Sequence, residues 1–214
     1  MTNYAGMYRW GITPWERYGR AAAGSIAALL DRVEAERSRP LGRALDVGCG
    51  RGQFTPELAR RGWQATGIDY VPAAIEAARS RGGADVAYVV GDVTDLVGAG
   101  LGTFDFFLDV GCFQGFDADQ RHAVGQGLSA LANPGATLLM LAFGPTRFRA
   151  LVGGVSQDEV TAAFPGWTLV AVDPAQTEGL GWPMNRTSAL VPASSSLGRD
   201  CKTNGVTPDQ GSST

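Results

Sequence analysis

Between Ala44 and Asp69 the chain reads ALDVGCGRGQFTPELARRGWQATGID. An apolar run enters Asp46, and glycines follow at alternating positions 48, 50 and 52. An amphipathic segment then leads into a second apolar run that ends in Asp69. This is a strand, a Gly-rich turn, a helix and a strand with a terminal carboxylate. A tight strand-to-helix turn needs backbone freedom that only glycine supplies cheaply, and a missing Cβ lets a ligand approach the main chain. In an open α/β sheet, ligands bind beyond the carboxyl ends of the strands, where such a turn lies. A carboxylate ending the second strand can accept hydrogen bonds from both hydroxyls of a ribose. The stretch therefore predicts an adenosine-containing cofactor.

The register of the glycines separates two cofactor classes. A dinucleotide fingerprint, G-x-G-x-x-G, needs a third glycine where helix packs on strand. Counting from Gly48, that position is Gln53. Asp46 is also poorly placed beside a diphosphate, and suits a cationic ligand instead. Asp46 followed by GCGRG resembles motif I of the class I S-adenosylmethionine-dependent methyltransferases. The resemblance implies a Rossmann-like, doubly wound, mostly parallel sheet of strand order 3-2-1-4-5-7-6, here with a short or irregular strand 7. It implies that the methionine part of S-adenosylmethionine lies over the glycines and its ribose on Asp69. The cofactor residues it points to in this region are Asp46, Gly48, Cys49, Gly50, Gly52, Asp69 and Tyr70.

Further along, Val86–Val90 reads as strand 3 and is followed by Gly91, Asp92 and Val93. By the same resemblance Asp92 accepts from the adenine amino group, and the neighbouring backbone N–H, at Val93, donates to the ring. Phe104–Val110, FDFFLDV, is almost wholly apolar, as a central strand buried on both faces should be. It runs into Gly111-Cys112-Phe113-Gln114-Gly115-Phe116. This region resembles the D-x-G-C-F-H stretch of small-molecule methyltransferases of the thiopurine, thiol and halide kind, with Gln114 where a His is frequent. The resemblance adds Asp109 to the cofactor residues and puts this strand end beside the expected methyl group, with Cys112 within reach of a substrate; Phe113 and Phe116 either wall an aromatic or apolar acceptor or fill the core. No Asn-Pro-Pro-aromatic element of the DNA and protein amide enzymes is present. Near the N-terminus, Thr13-Pro14-Trp15-Glu16 partly matches a Pro-Trp-Asp element of the same branch, which assigns Trp15 to the cofactor. The remaining aromatics of residues 1–20, Tyr8 among them, either pack this arm on the core or form a substrate wall.

Composition narrows what remains. The 214 residues carry a net charge of -3 and 44% hydrophobic residues, which suits one globular domain without an extended nucleic-acid surface. No apolar run reaches the length of a membrane span, and the N-terminus lacks a signal peptide's apolar core, so a cytoplasmic monomer or homodimer is expected. The three cysteines lack metal-ligand spacing and read as reduced thiols. A single histidine, His122, rules out multi-histidine metal sites. No convincing general base emerges.

The other elements follow from periodicity and punctuation. Helices are expected over 20–38, 55–61, 72–81 and 118–132, and from Ser156. Strands are expected over 41–47, 64–68, 137–143 and 167–172. Asn133-Pro134-Gly135 reads as a turn, and the loop after strand 5 offers Arg147 to an acceptor. A final strand is expected at 187–191, giving one domain over 1–192 and a disordered tail over 193–214. The function so implied is methyl transfer from S-adenosylmethionine to a small thiol, phenol, hydroxyl or halide, leaving S-adenosylhomocysteine. The alternatives are a cofactor-binding protein of the same fold without turnover, and an NAD-linked oxidoreductase.

Overall fold

The computed structural model describes residues 6, 8, 10, 14–83, 85–144, 154–174 and 193–199. Seven strands form one sheet: β1 (Arg43–Val47), β2 (Gln64–Asp69), β3 (Ala87–Val90), β4 (Phe104–Val110), β5 (Ala132–Ala142), β6 (Trp167–Pro174) and β7 (Ala193–Arg199). Their order is β3-β2-β1-β4-β5-β7-β6, as the resemblance implies. The first five pair in parallel with one another, and β7 runs antiparallel between β5 and β6.

Side-chain alternation along the strands feeds two cores. On one face Leu45, Phe107, Leu138 and Met140 meet helices α4 (Ala118–Leu131) and α5 (Gln157–Ala163). On the other, Ala44, Phe106, Leu108 and Leu139 meet α1 (Pro14–Ala35) and α2 (Thr55–Arg61). Helix α1 turns Ala22, Ile26 and Leu30 inward at a spacing of four residues, one stripe of a helix. Helix α3 (Pro72–Arg81) buries Ile75 and Ala78 beside Tyr88 of β3.

The helix ends obey local chemistry. Ser156 and Asp117 cap α5 and α4, each in a reciprocal capping box with Glu159 or Gln120. Gly62 ends α2 in the left-handed region at φ 100, returning its N–H to Ala59.

Three expectations shift. Helix α1 begins at Pro14 rather than at 20 and ends at Ala35, so the second half of the aromatic arm is helical. Proline with Glu16 in the first turn makes an effective helix start. The Asn133-Pro134-Gly135 turn lies inside β5 as an irregularity: Ala132 pairs with Phe104, and pairing resumes at Thr137 with Phe106. The last strand is Ala193–Arg199, within the segment expected to be a disordered tail, while 187–191 lies outside the described residues. Its sequence, ASSSLGR, has no β-branched or aromatic residue to announce a strand. What makes it one is a ladder on each side, to β5 and to β6.

Two helix glycines should respond oppositely to alanine. Gly24 in α1 faces open space, so Gly24→Ala should stabilise by about 0.5–1 kcal/mol. A Cβ on Gly125 would run into the Ala163 carbonyl at the end of α5, so Gly125→Ala should destabilise by about 1–3 kcal/mol. Urea denaturation of the two variants measures both, and equal effects would contradict the described α4–α5 contact.

Candidate functional site

At the end of β1 the chain turns through Gly48, Gly50 and Gly52, all in the left-handed region at φ 67, 55 and 72. The turn is tied to β2 by the Cys49 N–H, which donates to the Ile68 carbonyl at 2.9 Å. Asp69 finishes the tie. Its Oδ2 accepts from the Gly50 N–H and its Oδ1 from the Val71 N–H, both at 2.9 Å. Space as well as conformation demands glycine here. A Cβ on Gly50 would lie 2.5 Å from the Tyr8 hydroxyl, and one on Gly48 would lie 2.5 Å from Cys112 Sγ. A cavity of about 220 Å³ opens on the turn, lined by Tyr8, Asp46, the turn itself and residues of α1.

Tyr8 is held by Arg51. The guanidinium stands 5.2 Å from the Tyr8 ring centroid and reaches Glu16 Oε1 at 3.3 Å. The turn's only cation thus joins the arm to α1. Of Trp15 only the backbone, in the first turn of α1, is described.

Three acids end three adjacent strands, and all are buried: Asp46 at 3% exposure, Asp69 at 7% and Asp109 at 1%. None makes an ion pair among the described residues. Asp46 accepts from the Thr55 hydroxyl at 2.6 Å, from the first residue of α2. Burial pushes its carboxyl up to about 7; the Thr55 hydrogen bond opposes the rise and the nearby Asp69 adds to it. Burial likewise raises Asp69, against the lowering effect of its two N–H donors. Asp109 is pushed up to about 7, again by burial first, although the Phe113 and Cys112 N–H groups donate to it. The described residues contain no group of acids, histidines and cysteines arranged to hold a metal ion.

On the acceptor side the expected residues separate. Cys112 lies partly buried over Gly48. Phe113 is fully buried, its ring 5.6 Å from that of Phe164, and belongs to the core. Phe116 is half-buried against the same core. Gln114 turns inward, where its Oε1 accepts from the Phe143 N–H at 2.5 Å. At the position where the resembled family frequently carries a histidine, this side chain clips β4's exit to the end of β5. Cys49 and Cys112 are both held in the thiol form by burial. His122 is exposed on α4, with Nε2 2.9 Å from Gln126 Nε2. Arg147 lies outside the described residues.

Of the remaining residues, Asp92 is exposed, and its Oδ1 accepts from the N–H and the hydroxyl of Thr94 at 2.8 and 2.7 Å, capping a short turn. Val93 is buried in the core and Tyr70 is half-exposed. Thr55 carried no sequence signal beyond its place at a helix start, nine residues after Asp46. Arg121 was also missed. It is buried on α4 and donates to the Gln114 and Gly154 carbonyls and to Glu159, joining the turn after β4 to α5.

Comparison with known proteins gives this geometry relatives. Residues 44–135 match the model of a methyltransferase domain. The chain is 30% identical over 149 residues to 2-heptyl-1-hydroxyquinolin-4(1H)-one methyltransferase of Mycobacteroides abscessus, covering 66% of this chain and 65% of that protein. It is 31% identical over 143 residues to the ubiquinone biosynthesis O-methyltransferase of Xanthomonas campestris, covering 65% and 59%. The chain thus spans less than two thirds of the length of these relatives. Among solved structures, the Burkholderia thailandensis 1,6-didemethyltoxoflavin-N1-methyltransferase with bound S-adenosylhomocysteine superposes with a TM-score of 0.69 at 22% identity, over 92% of this chain and 86% of that one.

The raised acids predict a pH signature. Asp46 and Asp109 titrate near 7 when folded but near 3.8 when unfolded, so the folded state holds their protons more tightly. Their contribution to stability is complete below about pH 4 and is lost as pH rises through 7. An Asp109→Asn variant should therefore gain ground on the wild type as pH goes from 5 to 8, read as the difference in Tm between the two. A difference that stays constant would contradict a protonated Asp109.

Proposed function

We propose that this chain is a class I S-adenosylmethionine-dependent methyltransferase that transfers a methyl group to the thiol, phenol or other hydroxyl, or halide of a small molecule, a reading supported by the matching domain and the strand order. The observation that carries the reading is the Gly48–Gly52 turn with the Asp69 carboxylate at its rim. The residues fit the cofactor. The turn is bare of Cβ atoms on the side where Tyr8 closes over it. Each Asp69 oxygen spends one lone pair on a backbone N–H and keeps capacity for a ribose hydroxyl. Asp46 suits a positively charged end, and Asp92 the adenine amino group.

Bound S-adenosylmethionine supplies a methyl group on a sulfonium, already a strong electrophile. The chain's task is then alignment and exclusion of water. Cys112 and Phe116 border the acceptor space, and Tyr8 with Arg51 closes the cofactor side. At the position where the resembled family frequently has a histidine stands Gln114, an amide with no basic lone pair, and His122 lies on the surface. This favours an acceptor that ionises readily, such as a thiol or an acidic phenol. The hydroxyquinolone and O-methyl chemistry in the relatives' names supports a ring hydroxyl among these. The amide at Gln114 equally favours the second reading, a protein that binds the cofactor without turnover.

Two measurements decide between the readings. Incubating the protein with labelled S-adenosylmethionine and a panel of thiols, phenols and halides should yield a methylated product. Binding without any product across the panel would favour the second reading. Isothermal titration should also show that Asp69→Ala weakens S-adenosylmethionine binding by about 1–3 kcal/mol, the scale of lost hydrogen bonds to a charged group. Unchanged affinity would remove Asp69 from the site.

A further inference from the structure

The amino ends of the strands, at the opposite side of the sheet from the glycine turn, carry a cavity of about 490 Å³. Its walls come from Val33 near the end of α1, from Pro40 and Leu41 before β1, and from Thr137 of β5 and Val170 of β6. The volume is that of a small-molecule site. Helix α1 reaches both cavities: Arg20 lines the one on the glycine turn and Val33 lines this one. At 1.5 Å per residue the two positions stand about 20 Å apart along the helix.

Arg37 faces this basal cavity. It follows α1 directly, and its backbone N–H returns to the Glu34 carbonyl at 3.2 Å. The β4–β5 ladder breaks between Phe104 and Phe106, where Asn133-Pro134-Gly135 interrupts β5. Arg37 fills the break. Its Nη2 donates to the Asp105 carbonyl at 3.0 Å, the Thr137 hydroxyl at 2.8 Å and the Gly135 carbonyl at 3.3 Å. The Trp63 ring centroid lies 5.4 Å from the guanidinium carbon. The cation is therefore held in place by the protein alone.

Those three acceptors are all neutral, and Arg37 makes no ion pair among the described residues. Its Nη1 and Nε donate to none of them. Two acids share the lining. Asp105 spends Oδ2 on the Arg43 N–H and Oδ1 on the Asn133 amide, each at 2.8 Å, and Glu36 is exposed to solvent. Burial lowers the pKa of Arg37, and the charge of Asp105 opposes that fall. A half-buried cation with unspent donors and no direct counter-charge gains from an anion. Beside it the wall is apolar, and Val170 keeps 66% of its surface exposed on the edge strand.

We propose that the basal cavity is a second ligand site, which takes a small carboxylate with an apolar body. The carboxylate meets Arg37, and the body lies along Val33, Leu41 and Val170. This site stands whether or not the glycine turn holds an adenosyl cofactor.

The test is an amide proton–nitrogen NMR titration of the full chain at neutral pH with hexanoate, with hexanamide and with inorganic phosphate. Hexanoate should shift the amides of Gly42, Gly135 and Thr137 saturably and leave those of Gly50 and Gly52 in place. Hexanamide, which lacks the charge, and phosphate, which lacks the apolar body, should each bind about tenfold more weakly or worse. Arg37→Met should cost hexanoate about tenfold in affinity. No saturable shift at the basal amides, equal affinity for either control, or an unchanged affinity in Arg37→Met would overturn the proposal. Should Arg37→Met fail to fold, Val170→Asp takes its place, because an exposed edge position tolerates the change. Its like charge should weaken hexanoate about fivefold, and an unaltered affinity would overturn the proposal.

Discussion

The Asp69 carboxylate is the hinge of this site. One oxygen holds the Gly50 N–H and the other holds the Val71 N–H, so a single side chain ties the turn after β1 to the turn after β2. Left-handed glycines have many alternative conformations, and without this clasp the turn would have little reason to keep one. Everything assembled around it depends on that fixed path. Tyr8 covers Gly50, Cys112 covers Gly48, and Thr55 stands where α2 can deliver its hydroxyl to Asp46.

The surroundings of the clasp are set by an imbalance of charge. Parallel strands covered on both faces are necessarily apolar, and β4 carries Phe104, Phe106, Phe107 and Leu108 at 0% exposure. Polar groups are pushed to the strand ends, where Asp46, Asp69 and Asp109 collect. Asp109 spends its carboxyl oxygens on the backbone of the turn after β4, and so fixes the path of the chain there. Asp46 alone of the three lines the cavity. Among the described residues lining that cavity, Asp46 is the buried acid, and Arg51 is engaged by Glu16.

The strand–turn–helix–strand unit was legible because each of its parts has a local signature. The glycines, the apolar runs and Gly62 delimit β1, α2 and β2 almost to the residue. Ser156 likewise announced the start of α5. What could not be read depends on contacts between distant residues. Strand β7 is made of serines that pair only because β5 and β6 flank them. Phe113 and Phe116 look alike in sequence, yet one is sealed in the core and the other stands at its margin. Gln114 was visible as a departure from a familiar histidine, but its bond to Phe143 spans 29 residues. Arg121 had no local signal at all, since its partners lie on the turn after β4, at Gly154 and on α5.

The central claim is that the glycine turn and Asp69 together hold an adenosyl cofactor. A crystal structure of the protein grown with S-adenosylhomocysteine tests it most directly. The account predicts ribose hydroxyls within hydrogen-bond distance of the Asp69 carboxylate and the amino-acid end of the ligand over Gly48–Gly52, beside Asp46. Ligand density elsewhere on the molecule, with Asp69 contacting only Gly50 and Val71, would contradict it.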